Sequence, residues 1–130
     1  MDTKKLKALQ WKVFENVAAA SLVPLMRIGD ELKLFTTLSQ CGPATSAQFA
    51  KAAAIDARYG LEWLSAMAAA GYASYEAHNN TFFLTEEQSA VFADEDSNAL
   101  MIGAYDSLAA GVLDEPKIRA AFKTGEGVAW

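Results

Sequence analysis

"AQFAKAAAIDARYGLEWLSAMAAAGYASY", residues 47–75, reads as a short helix, a turn, a longer helix, a glycine stop and the start of a strand. That order is the skeleton of a winged helix-turn-helix, and it decides the fold class. Thr45 or Ser46 can cap the first helix and Asp56 the second, each offering a side-chain oxygen to backbone N–H groups that the first turn leaves free. Gly71 supplies the C-terminal stop. In the longer helix the periodicity puts Leu61, Leu64, Met67 and Ala68 on the core side, flanked by Tyr59 and Trp63. Arg58, Glu62, Ser65 and Ala69, spaced by four, three and four, then form the outward face.

A recognition helix would turn that face to the major groove, where base readout calls for Arg, Lys, Asn or Gln. One cation, one anion, one hydroxyl and one methyl carry no net charge, and Glu62 is placed to pair with Arg58 at i,i+4. The expected wing, "YASYEAHNNTFFL" (72–84), alternates like a hairpin around Asn79 and Asn80, yet it offers phosphates only Glu76 and His78. The whole-chain balance points the same way. Net charge is −5 over 130 residues. Lys4, Lys5, Lys7 and Lys12 against Asp2 give the first twelve residues a local +3, which leaves −8 on the rest. Affinity for nucleic acid comes from neutralising phosphates, so the expectation is a helix-turn-helix shape with no nucleic-acid partner.

Around the motif the pattern is helical. Leu6, Leu9, Val13 and Val17 recur at spacings of three and four, and Trp11, Phe14 and Ala18 form a second apolar face. A helix apolar on more than half its circumference is either deeply buried or shared with a partner. Homodimerisation through Leu6, Leu9, Val13, Phe14 and Val17 is the preferred reading. "VAAASLVPLM" (17–26) is too short to span a membrane and is interrupted by Pro24 and Arg27, so it reads as part of two core helices and not as an export signal. Pro24 ends or kinks the first helix, and Leu25, Ile28, Leu32 and Phe35 lead a second stretch toward Leu38. Thr85 and Gln88 have capping-box spacing for a helix ending near Phe92. "DEDS" (94–97) reads as the solvated N-cap of a helix carrying Leu100, Met101, Tyr105, Leu108 and Val112, more readily than as a cation site. Asp114 and Pro116 are expected to open a further helix through Ile118 and Phe122, closed by Gly125.

Catalytic constellations are scarce. With a single histidine, His78, in the expected hairpin tip, neither a histidine triad nor a multi-histidine metal site can be assembled, and no metal is expected. Cys41, the lone cysteine, cannot form an internal disulfide and fits a cytoplasmic setting. The glycines of "TGEGVAW" (124–130) lack the strand, the following helix and the lysine of a phosphate loop.

The stretches "IGDELKLF" (28–35), "RYGLEWL" (58–64) followed by "GY" (71–72), "FFLT" (82–85) and "GEGVAW" (125–130) resemble the N-terminal region of two-part class I S-adenosylmethionine-dependent methyltransferases. In those proteins a winged-helix domain precedes the catalytic domain. The resemblance covers about residues 18–130 and implies a mainly α fold with a small β-hairpin wing and extra N- and C-terminal helices; a chain of 130 residues that is 52% hydrophobic fits one such domain, 1–130. It also implies a homodimer, a small-molecule acceptor and a wall for the acceptor pocket, for which Met101, Tyr105 and Trp130 are the candidates, with ordinary core packing as the alternative. The donor, S-adenosylmethionine, would be bound only in the full-length protein, because the sequence ends at Trp130 before any Rossmann-like domain. A winged-helix transcriptional regulator and a stand-alone small-molecule-binding or dimerisation module are the alternatives.

Overall fold

The computed structural model describes residues 1–128. Helices α1 (Thr3–Ala20), α2 (Val23–Glu31), α3 (Leu34–Cys41), α4 (Ser46–Ala53) and α5 (Ala57–Ala69) are followed by strands β1 (Ser74–Glu76) and β2 (Thr81–Phe83). Helices α6 (Glu86–Phe92) and α7 (Ala104–Thr124) complete the order. The chain divides into two compact units, Leu25–Gly103 and the pair formed by Met1–Pro24 with the residues from Ala104 onward.

The central unit is the winged helix-turn-helix, and its sequence signals are mostly hydrogen-bonding ones. Thr45 caps α4 in a reciprocal box: its Oγ1 accepts from the Gln48 N–H, and its own N–H donates to Gln48 Oε1. Asp56 caps α5 through the N–H groups of Arg58 and Tyr59. Gly71, at φ +78°, ends α5 in a Schellman arrangement, with Tyr72 N–H reaching the Met67 carbonyl and Gly71 N–H the Ala68 carbonyl. β1 and β2 pair antiparallel with Tyr75 opposite Phe82, and the turn between them holds Asn80 at φ +54°. The loop before α4 contributes a third piece to this sheet: Ala44 and Phe82 exchange backbone hydrogen bonds. Thr85 and Gln88 form the expected capping box on α6. Gln88 does more than cap, since its Nε2 also donates to the Gly71 carbonyl and its Oε1 accepts from Ser74, tying wing, α5 and α6 together.

The core is aromatic. Phe35 meets Trp63 edge-on at 4.8 Å and stacks on Phe92 at 4.9 Å, while Trp63 also stacks on Phe49 at 5.9 Å. Met26, Leu34, Leu38, Leu64 and Met67 fill the space around them. Trp63 is therefore central to the core and not a flank of it, and its indole N–H is satisfied by the Leu25 carbonyl at 3.0 Å. Leu61, expected in the core stripe, is 44% exposed. The face of α5 turned inward is Gly60, Trp63, Leu64 and Met67, one step round the helix from the expected stripe. Gly60 sits where α4 comes close, with Ala50 Cβ 3.1 Å from where its own Cβ would be.

Three further expectations need correction. The stretch from Leu25 to Leu38 is two helices, because the chain turns at Lys33 with φ +53°. Asp94–Ser97 caps no helix: Asp94 and Ser97 accept from the N–H groups two residues on, in a run of turns, and the following helix starts only at Ala104. Pro116 does not open a separate helix either, since α7 runs through it to Thr124, after which Gly125 takes φ +74°. A mid-helix proline removes one backbone hydrogen bond and costs about 3 kcal/mol.

Among the described residues the terminal unit has no such core. Neither α1 nor α7 contains a buried residue. The reading of residues 17–20 as part of a core helix is thus replaced by an exposed one.

Candidate functional site

In the central unit the outward face of α5 is as the sequence arranges it: Arg58, Glu62, Ser65 and Ala69 are all exposed. Tyr59, 72% exposed, adds an apolar ring beside them. Between this face and the wing lies an open cleft of about 310 Å³ lined by Leu61, Ser65, Ala68, Tyr75, Asn80 and Phe82. The cleft wall is fixed by the hairpin. Tyr75 packs on Phe82 with ring centroids 4.9 Å apart, and its hydroxyl donates to Asn80 Oδ1 at 2.9 Å. Glu76, the one anion of the wing, is folded back onto the turn and accepts from the His78 and Asn79 N–H groups at 2.7 and 2.8 Å. The cleft lining is mostly aromatic and aliphatic carbon, with Ser65 and Asn80 as its polar side chains, and Arg58 is the one cation on the adjoining helix face.

A second cleft, about 370 Å³, opens beside the α2–α3 turn and is lined among others by Asp30, Lys33, Glu95, Phe92 and Ile102. Lys33 lies between two carboxylates, Asp30 at 3.4 Å and Glu95 at 3.6 Å. Asp30 foremost, with Glu95 adding to it, holds the ammonium above its ordinary pKa. On α6, the N–H of Glu87 itself and the Thr85 hydroxyl hold the Glu87 carboxyl below the usual carboxylate range, as expected in a helix's first turn. Among the described residues no group of three or more His, Cys, Asp or Glu side chains could hold a metal ion.

In the terminal unit, Leu9, Trp11, Val13, Phe14 and Val17 are each between 53% and 63% exposed, and Leu6 is half-buried. Leu9, Gln10, Val13, Phe14 and Val17 line a shallow apolar depression of about 490 Å³, beside which Trp11 stacks on Phe14 at 5.5 Å. On α7, Leu108, Val112, Leu113, Ile118 and Phe122 are 40% to 89% exposed. No helix among the described residues is long and apolar enough to cross a membrane.

The three candidates for an acceptor wall are not carried by one helix. Met101, 60% exposed, precedes α7 in the irregular segment, where its N–H donates to the Val91 carbonyl at 2.9 Å. Tyr105 is half-buried in the first turn of α7. Trp130 lies outside the described residues.

With a capped helix pair, a Schellman stop and a two-stranded wing in place, comparison with known proteins gives a consistent assignment: residues 18–94 match the profile of the Rv2258c-like winged HTH domain. The chain belongs to this family. The Rv2258c-like domain thus comprises the C-terminal end of α1, the helix-turn-helix, the wing and α6. A solved structure titled "PigF with SAH" is similar to the chain with a TM-score of 0.56 and 17% identity, a likeness of fold. It covers 95% of this chain and 38% of the PigF chain, so the Rv2258c-like chain spans well under half the length of that structure. No curated protein matches the chain.

Proposed function

We propose that this chain is the N-terminal dimerisation and acceptor-pocket domain of a cytoplasmic S-adenosylmethionine-dependent methyltransferase acting on a small molecule. The observation that carries the reading is the similarity to a structure holding SAH, the product left when S-adenosylmethionine gives up its methyl group. That similarity takes in nearly all of this chain and only 38% of the other. The surface chemistry supports it, because the α5 face carries no net charge and the wing cleft is mostly apolar, while α1 exposes an apolar stripe suited to a second copy.

The residues present do not fit the donor. Dinucleotide and related donor sites are cradled by a glycine-rich turn between a strand and a helix. Here β2 passes to α6 through Leu84 and Thr85 without a glycine, and the Thr85 hydroxyl is engaged in the capping box. The donor site therefore belongs to residues outside this chain in a longer protein. The acceptor-wall role of Met101, Tyr105 and Trp130 is part of the same proposal and belongs to that longer protein.

Calorimetry separates the parts of this reading. Residues 1–130 should show no measurable affinity for S-adenosylmethionine, and the longer protein should bind it. In the longer protein, Tyr105→Ala or Trp130→Ala should lower the rate of acceptor methylation at least about tenfold, with donor affinity nearly unchanged. Donor binding by residues 1–130 alone would overturn the domain assignment, and an equal loss of donor affinity in the variants would overturn the acceptor-wall role.

A further inference from the structure

The cleft beside the α2–α3 turn is built wholly within the central unit, from α2, α3, the end of α6 and the irregular segment 93–103. Its volume, about 370 Å³, is that of a small-molecule site. Two kinds of surface meet in it. Phe92, Leu100 and Ile102 supply the apolar part, and Ile102 is only 8% exposed. Phe92 is held in place, because its ring packs on those of Phe35 and Tyr72 with centroids 4.9 Å away in each case. The segment that carries Leu100 and Ile102 is tied to α6 by the hydrogen bond from Met101 N–H to the Val91 carbonyl. A loop fixed on a packed scaffold in this way is where binding residues commonly stand.

The charged part of the lining does not balance. Lys33 is its one cation and faces two carboxylates, Asp30 at 3.4 Å and Glu95 at 3.6 Å. Both separations exceed the roughly 2.7–2.9 Å of a well-formed charge-assisted hydrogen bond, so neither carboxylate is saturated by the lysine. Asp30 foremost, and then Glu95, keeps Lys33 protonated, which leaves one negative charge over. Asp94 and Asp96 flank Glu95 in the chain and add to the surplus. An anionic head group would enter against it, and a neutral one would gain nothing from it. A cation is attracted, and more strongly beside low-dielectric walls than in open water.

We infer that this cleft binds a small lipophilic ammonium compound, its apolar body against Phe92, Leu100 and Ile102 and its charged nitrogen between Glu95 and Asp30. Lys33 competes with such a ligand for the same two carboxylates. Its side chain is 60% exposed and its ion pairs are of the weak surface kind, so it can turn into water at little cost when the ligand arrives. The inference goes beyond the proposed function and does not rest on it, since the site uses no donor domain and none of Met101, Tyr105 and Trp130.

NMR titration of the 130-residue chain with phenethylamine, hydrocinnamate and phenethyl alcohol tests it, because the three share a phenyl body and differ in the head group. At neutral pH the amine should shift the amides of Thr36, Ala93, Ile102 and Gly103 saturably, with an affinity at least about threefold above the other two. Glu95→Gln, at an exposed position, should weaken the amine about threefold, and Lys33→Met should tighten it by a similar factor because the competing ammonium is gone. Weaker amine binding in Lys33→Met, or hydrocinnamate binding as tightly as the amine, would overturn the assigned charge of the ligand. Shifts confined to residues 94–96 would mark general attraction of a cation to an acidic surface and overturn the site. Absence of saturable shifts with every probe at tens of millimolar would overturn it as well.

Discussion

A methyl group at position 29 would sit 2.8 Å from Trp63 Cζ2 and 2.9 Å from Phe35 Cε2, closer than side-chain carbons pack. Gly29 lies within α2, where alanine would otherwise be worth roughly 1 kcal/mol in helix propensity. The two rings cannot give way cheaply. Phe35 is held between Trp63 and Phe92, and Trp63 is stacked on Phe49 and anchored by its indole N–H to the Leu25 carbonyl. Gly29→Ala should therefore destabilise the central unit by about 1–3 kcal/mol, the usual cost of overpacking. A lower urea midpoint at unchanged slope is the expected observation, and a midpoint at or above wild type would mean that the rings are free to shift. The same cluster explains why Trp63 reads as a flank in the sequence. Its partners Leu25, Phe35 and Phe49 are far away along the chain, and helical periodicity carries no information about them.

At the scale of elements, what was legible is what is written in short-range hydrogen bonds. The capping boxes of Thr45 and Thr85, the Asp56 cap, the Gly71 stop and the wing turn all rest on residues within five positions of each other. The elements that escaped are those set by tertiary packing. Leu32–Lys33 breaks a helix with neither glycine nor proline, α7 continues through Pro116, and Ala44 joins the sheet by pairing with a residue 38 positions later. Of the candidate site, the exposed face of Arg58, Glu62, Ser65 and Ala69 was readable because those positions recur at helical spacing. The wing cleft was not, because it forms only when Leu61 and Ala68 of α5 meet Tyr75 and Phe82. The stop of α4 is one such packing-set end. Ala54 takes φ +53°, the left-handed region that alanine disfavours, so that Ile55 N–H can reach the Ala50 carbonyl and Ala54 N–H the Lys51 carbonyl. Ala54→Gly should relieve this and stabilise the central unit by up to about 1 kcal/mol, read as a rise in midpoint. A drop would show that the left-handed turn is not where α4 ends.

For the whole molecule, membership in a winged HTH family raises the question of DNA again, and electrostatics answers it. Binding strength on duplex DNA scales with the number of phosphates neutralised, each contributing close to one unit of slope in log affinity against log salt. Arg58 is the one cation on the outward α5 face, Glu62 stands one turn away on the same face, and Glu76 occupies the wing. The four lysines of residues 4–12 lie outside the central unit, and the remainder of the chain carries −8. A reader built on this surface would bring about one favourable phosphate contact against a repulsive body, far short of the several that specific binders use. The cleft beside the helix adds few base-edge partners, since Asn80 Oδ1 already accepts from the Tyr75 hydroxyl and only the Asn80 amide N–H groups and the Ser65 hydroxyl remain among its mostly apolar lining. Sequence-selective retention of duplex DNA at low micromolar protein is therefore not expected in a gel-shift assay, even at low salt. Selective retention that weakens steeply as salt rises would show that the outward α5 face reads DNA after all. Weak retention without sequence preference, abolished by truncating the N-terminal lysines, would trace the contact to α1 and leave the helix-turn-helix face as a surface for protein or small molecule.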